Sequence, residues 1–202
     1  MIARIRQRLH GRDDTGMTLI ELLIYSAFLV VILAISGSVL ITTLRSEVQV
    51  RGLAETSSSG QLISRSVEEG VRNSSDILAS TIDTDGQLLR ARVANGTTAG
   101  VVVWQCQAWY YSIATGAVYW KIDNTAAIAG PSDPADPAAD GWILLGDGVS
   151  LAPGATQFFG SDGTQVVLRF IVSANDIDLV LIPNTVVKRL IVAGGTGPAT
   201  CF

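Results

Sequence analysis

The sequence predicts an α+β chain, with a long N-terminal helix, apolar enough over its first half to enter a membrane, ahead of an antiparallel β domain. Three observations carry this. The 23 residues from Leu22 to Leu44 hold no charged side chain, and at about 1.5 Å per residue a helix of that length crosses a hydrocarbon core of roughly 30 Å. The polar stretch beyond them recovers a helical spacing of apolar residues as far as Val71. From Leu88 the apolar period drops to two, and glycine-rich turns separate short runs.

Met1 to Thr15 is polar and basic, with Arg4, Arg6, Arg8 and Arg12 set against Asp13 and Asp14. The apolar run begins abruptly after Gly16, and one acid, Glu21, lies five residues inside it. A carboxylate at the centre of a bilayer costs about 2.5–3.5 kcal/mol, and less near the interface. Glu21 therefore needs a partner, and none is expected within its own segment. The apolar run is too long for a cleaved secretory signal, and no A-x-A site closes it.

The order of basic leader, Gly16, Met17, Thr18, Leu19, Ile20, Glu21 and about two dozen apolar residues resembles the class III signal of type IV pilins and type II secretion pseudopilins. The resemblance covers about the first quarter of the chain. It implies a prepilin peptidase as a partner, cutting after Gly16 and methylating the new N-terminus at Met17. It implies that Glu21 pairs with the N-terminal amine of a neighbouring pilin or pseudopilin during filament assembly. Many members carry phenylalanine where this chain has Met17, and a proline in the membrane segment where the nearest weak point here is Gly37.

On this reading residues 1–16 are a leader and residues 17–72 one helix, with 17–44 in the membrane and 45–72 an amphipathic stalk. Residues 73–202 form the globular domain. The basic leader places itself in the cytoplasm and the domain outside, by the preference of arginine for the cytoplasmic flank. The formal charge of −4 becomes −6 once a leader of net charge +2 is removed, a balance that repels nucleic acid in general. Cys106 and Cys201 then face a compartment where a disulfide persists, and two cysteines allow one intramolecular pairing.

In the stalk, Gly52 and the run Ser57-Ser58-Ser59-Gly60 are weak points for a helix. Leu62, Ile63, Val67 and Val71 recover an apolar face that would lie on the sheet. Asn73 to Gly86 reads as loop or short helix ends. Asp83 and Asp85 before Gly86 lack the full ladder of a calcium loop, so no metal is expected there. Leu88 to Ala94 alternates, with Arg90 and Arg92 on one face; Asn95-Gly96 is a hairpin signal, and Val101 to Gln107 is the next strand.

Trp109 to Ile113 and Ala117 to Ile122 form a further hairpin about Ala114-Thr115-Gly116, gathering Trp109, Tyr110, Tyr111, Tyr119 and Trp120. Their ordinary role is to fix register. The sharper reading makes Trp109, Tyr111 and Trp120, with Arg90 and Arg92, a ligand surface. Residues 123–141, rich in Pro, Ala and Asp, form an exposed loop or mobile flap. Beyond it, strands are expected at Trp142 to Leu145, Gln165 to Ser173 with Arg169 outward, Ile177 to Ile182 and Thr185 to Val192, with turns at Asp162-Gly163 and Asn175-Asp176. The segment from Gly194 to Pro198 is flexible unless Cys201 is tethered. The helix-then-strands order and the phrase Leu144-Leu145-Gly146-Asp147-Gly148-Val149 resemble the larger minor subunits, the J-type pseudopilins and PilW-like minor pilins.

Catalytic chemistry is not expected. The one histidine, His10, lies in the leader, and no nucleophile elbow, zinc-protease or phosphate-loop motif occurs. No cofactor is expected. The reading is a minor pilin or pseudopilin that packs at or near the tip of a filament serving a pilus, secretion or competence machine. The alternative is a filament-displayed adhesin or DNA-uptake receptor, with DNA as partner and Arg65, Arg72, Arg90 and Arg92 as its basic patch.

Overall fold

A computed structural model describes residues 18–82, 86–173, 180–189 and 194–202. Asp83, Asp85, Asn175 and Asp176, and the readings made of them, lie outside the described residues. The chain forms two compact units, residues 1–48 and 49–202. A single α-helix, α1 (Leu19–Arg72), supplies the described structure of the first unit and continues into the second. It is unbroken across Gly37, Gly52 and the Ser57–Gly60 run.

In the second unit the helix buries Gly52, Thr56, Gly60, Ile63, Val67, Gly70 and Val71, a stripe at steps of three and four residues. Its glycines are packing positions. A Cβ added at Gly60 would overlap the Ile182 side chain, and one at Gly70 the Trp109 ring, so the helix backbone lies close against the sheets. Leu62, expected on this face, is exposed. Arg72 forms an ion pair with Glu68 one turn back.

Among the described residues nine strands follow. β1 (Ser74–Ile82), β2 (Gly86–Thr98), β3 (Val101–Ser112), β4 (Ala117–Asp123) and β5 (Ile143–Gly146) form a five-stranded antiparallel sheet in chain order. β6 (Val149–Leu151), β7 (Phe159–Ser161), β8 (Gln165–Val172) and β9 (Val180–Val187) form a second antiparallel sheet. There β9 pairs along the whole of β8, while β6 and β7 pair with successive parts of it.

Four expectations need correcting. The segment after Asn73 is a strand, β1, because its Ser- and Thr-rich run pairs with β2 from Ser74 to Ile82. Asn95-Gly96 is not the hairpin turn. The register shifts between Ala94 and Thr97, so Gly96, at φ 81°, serves a bulge, and the turn falls at Ala99-Gly100 with φ of 51° and 79°. The two short strands expected between Val101 and Ile113 are one strand, and Val180–Val187 runs through Pro183 without a break. Among the described residues β9 has a partner strand on one side only, where a residue lacking an N–H is tolerated.

The main core lies between α1 and the two sheets. Ile63, Val67 and Val71 meet Leu89, Trp109, Phe158, Leu168 and Phe170 there. The Phe158 ring stacks on Tyr111 and on Phe170, with centroids 4.4 and 4.9 Å away. Buried Gln87 joins the sheets, its Oε1 accepting the N–H groups of Phe158 at 2.6 Å and Phe159 at 3.0 Å. A second, smaller core covers the opposite face of the five-stranded sheet. Leu88, Tyr110 and Tyr119 lie there under Ile128 and Trp142, with the disulfide beside them.

The 123–141 loop is thus packed down and is not a free flap. Ile128 and Pro137 are buried, and Pro137–Asp140 forms one turn of 3₁₀ helix. Asp140 accepts from the Ser132 N–H and hydroxyl, and Ser112 donates to the Pro134 carbonyl. Asp123 caps the loop start, accepting from the Thr125 N–H and hydroxyl and the Ala126 N–H.

Asp162 plays the same part between β7 and β8. The Thr164 hydroxyl, the Thr164 N–H and the Gln165 N–H donate to it and hold its carboxyl well below the usual carboxylate range. Its folded pKa is depressed, so its contribution to stability is complete above the unfolded value of about 3.9 and is lost as pH falls through the folded value. Unfolding midpoints should therefore hold steady down to about pH 4 and decline below it. In Asp162→Asn that decline should be shallower, as thermal unfolding in detergent between pH 2 and 7 would show. An unchanged slope would exclude Asp162 as a contributor.

Candidate functional site

The first unit presents an apolar surface. From Leu19 to Val48 every large aliphatic or aromatic side chain is exposed, and the helix is long and apolar enough to cross a membrane near the N-terminus. Five of its hydroxyls are satisfied within the helix. Ser26 and Ser38 donate to carbonyls three residues back, and Thr42, Thr43 and Ser46 to carbonyls four back, which removes their demand for water.

Glu21 lies in the first turn. Its N–H reaches the Thr18 hydroxyl at 3.3 Å, and its Oε1 accepts from the Tyr25 hydroxyl at 3.0 Å. Tyr25 is thus a partner inside the segment, where none was expected. It sits one helical turn on, a spacing at which side chains meet. A neutral hydroxyl satisfies one lone pair but supplies no opposite charge. Gly16 and Met17, the cleavage and methylation positions, lie outside the described residues.

The five residues considered as a ligand surface do not share one. Trp109 and Tyr111 point toward α1 and are buried, and the Trp109 indole N–H donates to Ser66 Oγ at 2.8 Å. Burial pushes the Tyr111 hydroxyl pKa up. Trp120 shares that face and lines a groove of about 490 Å³ with Leu62, Arg65, Glu69 and Ile122. Arg90 and Arg92 alternate with Leu89, Ala91 and Val93 and so emerge on the opposite face.

There the two arginines lie beneath Gly194–Phe202, a strap tied by the Cys106–Cys201 disulfide (Cα–Cα 5.4 Å) across 95 positions of sequence. Arg92 Nε donates to the Pro198 carbonyl at 2.7 Å and Nη1 to Ser75 Oγ at 3.2 Å, and its guanidinium sits over the Trp104 ring, 4.2 Å from the centroid. Arg90 lies 5.9 Å from the Phe202 ring centroid, and burial lowers its pKa.

The strap also completes the sheet. β4 pairs with β3 from Cys106 to Ser112 only. Along the earlier part of that edge, Thr196 forms a parallel bridge to Val103, donating to the Val102 carbonyl at 2.8 Å and accepting the Trp104 N–H at 2.7 Å. The Trp104 indole donates to the Gly194 carbonyl at 2.7 Å. Gly195 and Gly197, at φ of 115° and 112°, lie so close to Trp104 that a Cβ on either would collide with it.

Ordering such a segment costs on the order of 1–2 kcal/mol per residue in backbone entropy. Each hydrogen bond returns about 1 kcal/mol, and within the strap Pro198 and Cys201 alone are buried. The disulfide ties the far end of the segment to β3. Trp104 was not singled out from sequence, and Gly194 to Pro198 was read only as a segment flexible unless Cys201 is tethered, a tether the structure contains.

Set against protein-family models, curated proteins and solved structures, the chain matches no family model, no curated protein and no solved structure.

Proposed function

We propose that this chain is a structural subunit of a type IV pilus-like filament, a minor pilin or pseudopilin. It enters the membrane by its N-terminal helix with the β domain outside, loses its leader after Gly16, and packs beside related subunits at or near the filament tip. The observation that carries this reading is the exposed apolar helix with one carboxylate near its start. Such a surface needs lipid or other apolar helices around it. Glu21 in that setting needs a cation, which a neighbour's N-terminal ammonium supplies as two helices come into register. The β domain, packed on both faces of its larger sheet, then presents loops and edges to its neighbours.

The test is the mass and N-terminal residue of the protein in its own cells, with the prepilin peptidase present and then deleted. The expected result is a peptidase-dependent product beginning at methylated Met17. An N-terminus at Met1 or Ile2 in both strains would leave a membrane-anchored domain and end the filament reading.

A further inference from the structure

We propose that Asn95-Gly96 is a self-modification site, at which the Gly96 amide nitrogen cyclises onto the Asn95 side chain and water converts the asparagine to aspartate and isoaspartate. The co-reactant is water, and the product is a carboxylate on the groove that Trp120 and Arg65 line between α1 and the five-stranded sheet.

Such a step needs an uncrowded attacking nitrogen, a side chain free to turn and a backbone that can take a changed path. Gly96 meets the first, having no Cβ, and no atom lies within 4 Å of where one would stand. Asn95 meets the second: it is exposed, and among the described residues its amide has no hydrogen-bond partner. The bulge meets the third. The register runs to Ala94 opposite Trp104 and resumes at Thr97 opposite Val102, so Asn95 and Gly96 together face Val103 alone. A bulge of this kind leaves the ladder locally disrupted. Isoaspartate adds one methylene to the backbone, at a place where the ladder is already out of step.

The other described asparagines each fail one of these conditions. Asn73 is followed by Ser74, which is buried and paired with Val93. After Asn124, the Thr125 N–H donates to Asp123 Oδ1 at 2.7 Å. The Asn184 amide donates to Ser64 Oγ at 2.7 Å, and Thr185 beyond it pairs with Val167. At Asn95 the atoms balance without any change of oxidation state. Hydroxide takes the Gly96 amide proton, the nitrogen bonds to Asn95 Cγ, and the side-chain nitrogen leaves as ammonia. Water then opens the five-membered imide: attack at Cγ gives aspartate, and attack at the backbone carbonyl gives isoaspartate. Either product sets a carboxylate in the groove that also holds Arg65 and Glu69. With time the protein thus divides into an amide form and a carboxylate form of one fold.

The test incubates the full chain in detergent at mildly alkaline pH, in heavy-oxygen water, and follows its tryptic peptides by mass. The peptide 93–121 holds Asn95 as its one asparagine. It should gain one heavy oxygen and split into aspartyl and isoaspartyl forms, at least tenfold faster than Asn73, Asn124 or Asn184 converts. Its rate should rise with hydroxide concentration and stay within tenfold of the rate in the denaturant-unfolded chain. The near-ultraviolet circular dichroism of the domain should persist as conversion proceeds, and Asn95→Asp should give the same spectrum.

Conversion of another described asparagine as fast as Asn95 would overturn the proposal, because the bulge would then confer no selectivity. So would a folded-state rate more than tenfold below the unfolded one, which would mean that the fold protects the site. Loss of the circular dichroism signal in step with conversion would overturn it as well, since the bulge would then not absorb the altered backbone.

Discussion

Replacing Trp109 with alanine should destabilise the β domain by about 3–5 kcal/mol, the range for removing a large aromatic side chain from a packed core. At this size that lowers the unfolding midpoint by roughly 6–20 °C. Trp109 is fully buried between α1 and the five-stranded sheet, and its indole N–H is matched by Ser66. The truncation therefore opens a cavity and removes the donor to the part-buried Ser66 hydroxyl. Gly70→Val attacks the same contact from the helix side, since any Cβ at Gly70 meets the Trp109 ring. The two changes should be strongly non-additive: with Trp109 cut to alanine, the valine has room and the double variant should be more stable than the sum of the singles predicts. Denaturant unfolding of all four proteins closes the cycle. A loss below about 1 kcal/mol for Trp109→Ala, well under the core range, would show that this helix–sheet contact is not structural.

Glu21→Ala should abolish incorporation into filaments while leaving membrane insertion and leader removal intact. In the proposed assembly, the carboxylate is the group that selects the correct stagger between helices, because only at that stagger does a neighbour's amine neutralise it. Removing it makes the helix more apolar, so the variant should stay in the membrane, with its share in sheared filaments falling at least tenfold. Glu21→Gln keeps an acceptor for Tyr25 but has no charge and should fail likewise. Tyr25→Phe keeps the charge and should incorporate normally. Quantitative immunoblots of membrane and filament fractions distinguish these cases, and wild-type incorporation of Glu21→Ala would remove the carboxylate from the mechanism.

The helix, the change to strands and the α+β class were legible because they rest on period and length, which short segments carry on their own. The positions of Glu21, Cys106 and Cys201 were legible as points in the chain. What escaped depends on pairing partners. Ser74–Ile82 looks like loop until β2 supplies its ladder, and Asn95-Gly96 looks like a turn until the register across β2 and β3 moves the reversal to Ala99-Gly100. The run Trp109-Tyr110-Tyr111 was the hardest case. A strand with one wet face betrays its orientation by alternation, but here both faces are covered, one by α1 and the other by the 123–141 loop. Apolar residues on both sides erase the pattern. Gly52 and Gly60 were weighed as helix breakers by propensity, and burial decided otherwise: both are buried, and at Gly60 a Cβ would overlap the Ile182 side chain.

That second covering has an evolutionary corollary. With its outer face paved over by the loop, the larger sheet shows a neighbour loop surface in place of strand surface. Residues such as Asp133, Asp136 and Ala139 are exposed on it and carry no core packing. Substitution there can redraw what another molecule touches while Trp109, Phe158 and the helix stripe go on specifying the same fold. The exposed surface of this face and the integrity of the fold are thus encoded in separate stretches of the chain.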